Sequence, residues 1–295
     1  MRVLEARLWQ EAHAVLGEGP SWDSRTNRLS WVDILSSAVH VAGAEGDPIT
    51  SYQLPGHVGA ALPAAEGGWL VALADRLAHL DEAGTLSDIA PLEAHLRENR
   101  ANDAKCDPEG RAWVGTMSYD ESLVRGTLYR VGPGGQPAAV IEGVGIANGL
   151  GWSPDGRTMY FIDTVTHEIR AHDYDLGTGR VGKPRALVRV DPADGHPDGM
   201  CTDDDGCLWV ALFAGGSVRR YTPDGELDTV VRVPATYTTS CCFGGTGRDR
   251  LLITTATRDL DESGKLREPL AGSVWAAEPG TTGPAATPWV RTTAG

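Results

Sequence analysis

Asp107-Pro108-Glu109-Gly110-Arg111-Ala112-Trp113-Val114 is a turn tetrapeptide that runs straight into an apolar strand core, and looser copies of it recur along the whole chain. The equivalents are Trp22-Asp23 leading to Trp31, Ala65-Glu66-Gly67-Gly68 to Leu70, Ser153-Pro154-Asp155-Gly156 to Tyr160, Asp203-Asp204-Asp205-Gly206 to Trp209, and Gly245 to Leu252. With Trp31, Leu70, Trp113, Tyr160, Trp209 and Leu252 aligned, the steps are 39, 43, 47, 49 and 43 residues. A period of about 40–50 residues built from short strands and turns is one four-stranded blade, a sheet that buries its faces only against its neighbours. A second echo agrees: Ser37 to His40, Arg76 to His79, Gly126 to Tyr129, Glu168 to Ala171, Gly216 to Arg219 and Gly272 to Trp275 read as a later strand of the same unit. The repeats predict an all-β chain folded as a six-bladed β-propeller, with four-stranded blades around a central channel. A β-sandwich has no reason to repeat one signature six times.

At 295 residues with 41% hydrophobic content, the chain is expected to form one propeller domain over residues 1–295. Helical periodicity is confined to Leu92, His95 and Leu96, enough for a turn or two. Val3 to Trp9 and Pro288 to Thr292 are strand-like and are expected to meet in one blade and close the ring, whereas Gly280 to Thr287 reads as a mobile loop.

A net charge of −14 and a pI near 4.9 repel phosphate backbones and anionic lipid, which argues against nucleic-acid and membrane partners. No apolar run approaches a membrane span, and Met1 to Glu5 lacks the apolar core of a secretion signal, so a cytoplasmic protein is expected. The five cysteines, Cys106, Cys201, Cys207, Cys241 and Cys242, are odd in number and lack CxxC spacing, which predicts buried free thiols. Oligomeric state leaves no mark in the sequence.

The alignment also places polar residues in phase. Glu18, Asn102, Asn148, Asp198 and Ser240 stand eleven to thirteen positions before their blade's anchor, and the second repeat has Gly59 in that slot. Each slot opens the first strand of its blade, and in a propeller one strand of every blade lines the channel, so these side chains must converge on the axis. A ring of two carboxylates with amide and hydroxyl oxygens is costly to bury without a cation. A divalent metal satisfies it, and an all-oxygen set favours a hard ion. His57 and His196 lie near the same face, but the other histidines are scattered.

Arg100-Ala101-Asn102-Asp103-Ala104-Lys105-Cys106-Asp107-Pro108-Glu109-Gly110 through Gly115-Thr116-Met117 closely resembles the signature of the SMP-30/gluconolactonase/regucalcin-like family. So do Leu16 to Trp22, Ala147 to Gly156, Pro197 to Met200 and Thr239 to Gly245, in the family's order. The resemblance implies a six-bladed propeller with one divalent metal held by Glu18, Asn148 and Asp198. It implies sugar-lactone contacts from Arg100, Asn102 and a carboxylate just after Gly-Thr-Met, which Asp120 matches best with Glu121 adjacent. One departure is Ala104, where the family often has glycine.

The expected reaction is metal-dependent hydrolysis of a sugar aldonolactone, with Ca²⁺ first and Zn²⁺, Mg²⁺, Mn²⁺ or Fe²⁺ as alternatives. Asp198 is the family's base, but a carboxylate ligating a cation is held ionised and is a weak base, so Asp103 is a second catalytic candidate. Lys105 and Asp107 read as loop structure, and Ser240 as a supporting hydroxyl. No Gly-x-Ser-x-Gly elbow is present. Aryl-ester or phosphotriester hydrolysis on the same scaffold, and a non-enzymatic calcium-binding propeller, are the rival readings.

Overall fold

The computed structural model describes residues 1–132 and 134–291. Its strands form six sheets arranged in a ring, a six-bladed β-propeller in which each blade runs outward from an innermost strand. Blade 1 is Gly17–Asp23, Arg28–Asp33, Ala38–Ala42 and Thr50–Gln53, and the aligned anchors Trp31, Leu70, Trp113, Tyr160, Trp209 and Leu252 all fall on second strands. Those strands are flanked on every side and read as near-continuous apolar runs, such as Trp69–Leu73, which is buried throughout. Fourth strands face water: Pro137–Val144 is largely exposed. The sequence therefore grades from apolar to polar going outward in each blade, as burial requires. Aromatic pairs seal the seams between blades, Trp113 against Trp152 at 6.3 Å and Trp209 edge-on to Phe243 at 6.1 Å.

The turn signature has a physical cause beyond the turn. Asp107, fully buried, accepts hydrogen bonds from Arg111 Nε (2.7 Å), the Trp113 indole (3.2 Å) and the Tyr174 hydroxyl (2.5 Å). Asp203 repeats the arrangement with Trp209 Nε1 at 2.9 Å and Arg220 Nε at 2.8 Å. A carboxylate with this many charged and polar donors tolerates burial, and it fixes the second strand to the turn before it.

Ring closure differs from the expectation. Arg7–Gln10 supplies the outer strand of blade 6, pairing antiparallel with Val274–Ala277, while Arg2–Glu5 adds in parallel to Leu227–Arg232 and makes blade 5 five-stranded. The Val3 to Trp9 stretch is thus divided between two blades. It does not meet Pro288 to Thr292, of which Thr292 lies outside the described residues. Instead Trp289 pairs with Ala64, its N–H bonding Pro63 O and its carbonyl accepting from Ala65 N, both at 2.8 Å. The vacant outer edge of blade 6 was already filled by the N-terminal strand, so the chain after Ala277 crosses the far end of the channel. Gly280 to Thr287 forms that crossing and is not a free loop: Thr282 O accepts from Asp204 N, and Gly283 N donates to Arg248 O. Leu92 to Arg97 forms turns rather than helix. The α-helix of the described residues is Glu262–Arg267, capped by Asp261, whose carboxylate accepts from Gly264 N at 2.6 Å. Among the described residues no helix is long and apolar enough to cross a membrane.

One irregularity is common to all six innermost strands. The ladder to the second strand slips between Glu18 and Ser21, Val58 and Ala60, Ala101 and Ala104, Asn148 and Leu150, Pro197 and Met200, and Thr238 and Ser240. A bulge bends a strand and re-aims the side chains beside it. Every blade therefore bulges at the slot singled out by sequence phase. Glycine lets these bulges crowd the axis: a Cβ at Gly59 would sit 2.3 Å from Asn102 O, and one at Gly199 only 2.1 Å from Ser240 Oγ.

Candidate functional site

The bulges bring Glu18, Asn102, Asp103, Asn148 and Asp198 to one end of the channel, all buried, with Arg100 beside them. A hydrogen-bond relay runs round half the ring. Arg100 Nη1 donates to Asn102 Oδ1 (2.6 Å) and to Ala101 O (3.0 Å); Asn102 Nδ2 donates to Asn148 Oδ1 (3.0 Å) and Ala147 O (2.9 Å). Asn148 Nδ2 donates to Thr164 Oγ1 (2.9 Å), and that hydroxyl donates to Pro197 O (2.8 Å), the residue before Asp198. Because the Thr164 hydroxyl uses its proton on a carbonyl, it accepts from Asn148, which fixes the amide with Oδ1 turned away from Thr164.

The carboxylates are in a different condition. Glu18 accepts from its neighbour Gly19 N at 3.0 Å, and among the described residues no Lys, Arg or His lies within ion-pair distance of Glu18, Asp103 or Asp198. Burial, reinforced by Asp103, pushes Glu18 up to about 8. Burial and then the neighbouring Glu18 and Asp103 carboxyls push Asp198 well above the ordinary range. Asp103 is also raised by burial, with Lys105 pulling the other way. Arg100 is drawn down to about 10 by burial, and among the described residues only its Nη1 is bonded.

This donor set fits a divalent cation. Three buried acids that repel one another, with no ion-pair contact among the described residues, would be relieved by a hard positive ion; Glu18 and Asp198 would supply charge and Asn148 a pre-oriented carbonyl oxygen. Among the described residues no three His, Cys, Asp or Glu side chains form a ready-made metal cluster, so a cation here would depend on the Asn148 amide as its third donor. Below the ring, a cavity of about 270 Å³ follows the axis past Asp103, Lys105 and Ser240 down to the Pro284 to Thr287 crossing.

Other candidates are placed as follows. Asp120 is exposed and is occupied within its own loop, accepting from Ser122 N (3.1 Å) and Ser122 Oγ (2.7 Å). Glu121 turns toward Arg258, 2.5 Å away, and both charges act on Arg100. Ser240 lies in the bulge of blade 6 against Gly199. Lys105 donates to Met200 O, tying blade 3 to blade 5. The five cysteines are buried and unbridged. His57 Nδ1 pairs with the Tyr119 hydroxyl at 2.9 Å, beneath which Arg100 lies 6.0 Å from the ring centre. His196 instead packs on His167, with ring centres 5.0 Å apart. Arg258, Tyr119 and Thr164 escaped the sequence reading because they stand on connecting loops with no repeat phase; the unusually long connection from Thr255 to Val274 was the available signal for Arg258.

Fold and site together define a six-bladed propeller with an oxygen-rich acidic centre in one mouth of its channel. Residues 16–257 match the SMP-30/Gluconolactonase/LRE-like region, and the chain belongs to that family. It is 38% identical over 283 residues to a provisionally named sugar lactone lactonase, YvrE, of Bacillus subtilis, covering 95% of this chain and 97% of that one. It is 37% identical over 261 residues to regucalcin of Danio rerio, covering 87% and 88%. Among solved structures, a calcium-binding regucalcin from Agrobacterium tumefaciens superposes with a TM-score of 0.93 at 30% identity, covering 99% of this chain and all of that one.

Proposed function

We propose that the chain hydrolyses a sugar aldonolactone to the open aldonic acid, with one divalent cation held by Glu18, Asn148 and Asp198. The observation that carries the reading is the trio of buried carboxylates that have no ion-pair contact among the described residues, set beside a buried arginine of which only Nη1 is bonded among them. The family, and the lactonase name of the Bacillus relative, support the reaction class; the calcium-binding Agrobacterium regucalcin supports Ca²⁺ as the first ion to test. When bound, the cation supplies Lewis acidity at the lactone carbonyl and offsets the negative charge that develops on its oxygen.

The chain's own groups do the rest. Arg100 offers Nε and Nη2 to substrate oxygens, held in place by its bonds to Asn102 and Ala101. Asp103, which lines the axial cavity and lies outside the proposed ligand set, is the acceptor proposed here for the proton of the attacking water. The water oxygen bonds the carbonyl carbon, the ring C–O bond breaks, and the proton passes to the departing alkoxide. Asp198, held ionised as a ligand, is the poorer base.

The test is acid release from a panel of five- and six-carbon aldonolactones after chelation and stepwise return of Ca²⁺, Mg²⁺, Mn²⁺, Zn²⁺ and Fe²⁺. Turnover should require a metal and fall at least about a hundredfold in Asp198→Ala and Glu18→Gln, with circular dichroism unchanged. Metal-independent turnover, or full activity in both variants, overturns the assignment. Metal binding with no hydrolysis of any lactone, aryl ester or phosphotriester leaves a binding propeller.

A further inference from the structure

The ring order places blade 3 directly opposite blade 6, since the innermost strands pack most extensively in the sequence 1-2-3-4-5-6-1. Yet Glu121, on the loop between the second and third strands of blade 3, meets Arg258, on the corresponding loop of blade 6, at 2.5 Å. That contact crosses the diameter of the channel on the side where the acidic centre lies. Both ends are braced. Arg258 N donates to Val15 O (2.8 Å), and the preceding Thr257 bonds Ala14 O through its N–H (3.2 Å) and its hydroxyl (3.1 Å). On the other side the Asp120 carboxylate turns the loop by accepting from Ser122, and Leu123 N donates to Asp120 O (2.9 Å), which leaves Glu121 projecting. Tyr119, the next anchor of that loop, is held by His57. Arg258 also has Asp259 within 3.3 Å of its Nε, so Glu121 is its partner across the mouth rather than its only acidic neighbour.

We infer that Arg258 is a positioning and specificity residue: it draws Glu121 across the mouth so that the pair roofs the site above Arg100, admitting a single sugar ring and excluding lactones extended by a second ring. The part of this that concerns substrate size rests on the lactonase reading above; the roof itself does not. Both groups are partly exposed, with side-chain accessibilities of 28% and 39%, so the pair is weak enough to open for entry. A single-ring lactone seated on Arg100 would bring its outer hydroxyls under Glu121, whose second carboxylate oxygen has no partner among the described residues and can accept from them. A ligand carrying another sugar on one of those hydroxyls has to displace the bridge.

The proposal is tested with Arg258→Gln, Glu121→Gln, and the charge swap Glu121→Arg with Arg258→Glu. Two readouts are taken on each full-length protein. Amide hydrogen exchange over residues 119–125 should accelerate about fivefold or more in the single variants and return toward wild type in the swap. For a matched pair of substrates, a six-carbon aldonolactone and its disaccharide counterpart, the ratio of kcat/KM should narrow about tenfold in Arg258→Gln, mainly through a higher KM for the single ring, and should stay narrow in the swap, which restores the bridge but leaves no carboxylate at position 121. Exchange that Arg258→Gln leaves unmoved, or a swap that exchanges as fast as its single variants, overturns the bridge. If no lactone is turned over by the wild type, exchange alone decides the bridge while the lactonase reading falls. If exchange responds and the substrate ratio does not, the specificity role is overturned.

Discussion

Stripping the protein of divalent cations and raising the pH should destabilise it, against the usual behaviour of buried carboxylates paired with bases. Glu18 has a folded-state pKa near 8 against the usual 4.5, because burial and Asp103 disfavour its charge. A group raised on folding holds more protons in the native than in the unfolded state, so its contribution is fully present below about 4.5 and is lost as pH climbs through 8. Taken alone, that interval corresponds to on the order of 5 kcal/mol at 1.36 kcal/mol per pH unit. The repulsion is shared with Asp103 and Asp198, which makes the shifts non-additive and brings the expected loss to a few kcal/mol. At roughly 2–4 °C per kcal/mol for a chain of this order of size, the melting temperature of chelated protein should fall about 5–10 °C between pH 6 and pH 9. Returning a binding cation should flatten the slope, since it favours the ionised carboxylates, and should release protons in a calorimeter with buffers of different ionisation heat. Glu18→Gln in chelator should shrink the slope as well. A chelated wild type that melts alike at both pH values, or a Glu18→Gln protein with an undiminished slope, refutes the electrostatic account of this centre.

Two further outcomes follow from packing. Deleting residues 1–5 removes only the added fifth strand of blade 5 and should lower stability modestly, whereas deleting residues 1–10 also takes the closing strand of blade 6 with buried Trp9, a loss of at least about 3–5 kcal/mol by the cost of emptying an aromatic site; equal melting temperatures of the two truncations would contradict the closure described. Gly59→Ala forces a methyl to within 2.3 Å of Asn102 O, so it should cost about 1–3 kcal/mol in urea unfolding and weaken metal affinity through the displaced Asn102–Asn148 contact, while a neutral substitution would show that blades 2 and 3 pack more loosely.

What the sequence revealed, and what it concealed, divides along the repeat. Glu18, Asn102, Asn148 and Asp198 were legible because each holds one phase of a periodic pattern, and the fold turns that phase into a place, the bulge of an innermost strand. The Gly59 slot has an equally physical reason that no pattern announces: the backbone of Ala101 and Asn102 fills the space where a side chain would stand. The expected meeting of Val3 to Trp9 with Pro288 to Thr292 failed because both are short strand-like stretches, and nothing in either shows that Arg7–Gln10 alone fills the edge of blade 6 while Trp289 pairs with Ala64. Asp120 and Glu121 are neighbours in a loop outside the repeat, and only the Ser122 turn shows which one is used locally and which projects. Arg258 has no counterpart in other blades, because the connection that carries it is an insertion holding the Glu262–Arg267 helix.

Burial alone does not mark the centre; pairing does. Asp203 and Asp198 sit in one blade, the first fully buried and the second 6% exposed, yet Asp203 is held by Arg220, the Trp209 indole and Cys207 N, while Asp198 faces two other acids. Replacing each with asparagine separates the two conditions. Asp203→Asn leaves Arg220 without the buried member of its acidic set and should cost about 3–5 kcal/mol, the penalty of breaking a buried pair from one side. Asp198→Asn removes one of three mutually repelling charges and should raise the melting temperature of chelated protein at pH 9, while abolishing any gain from added metal. If both substitutions destabilise the chelated protein equally, Asp198 is an ordinary structural carboxylate and the case for a cation at this end of the channel fails with it.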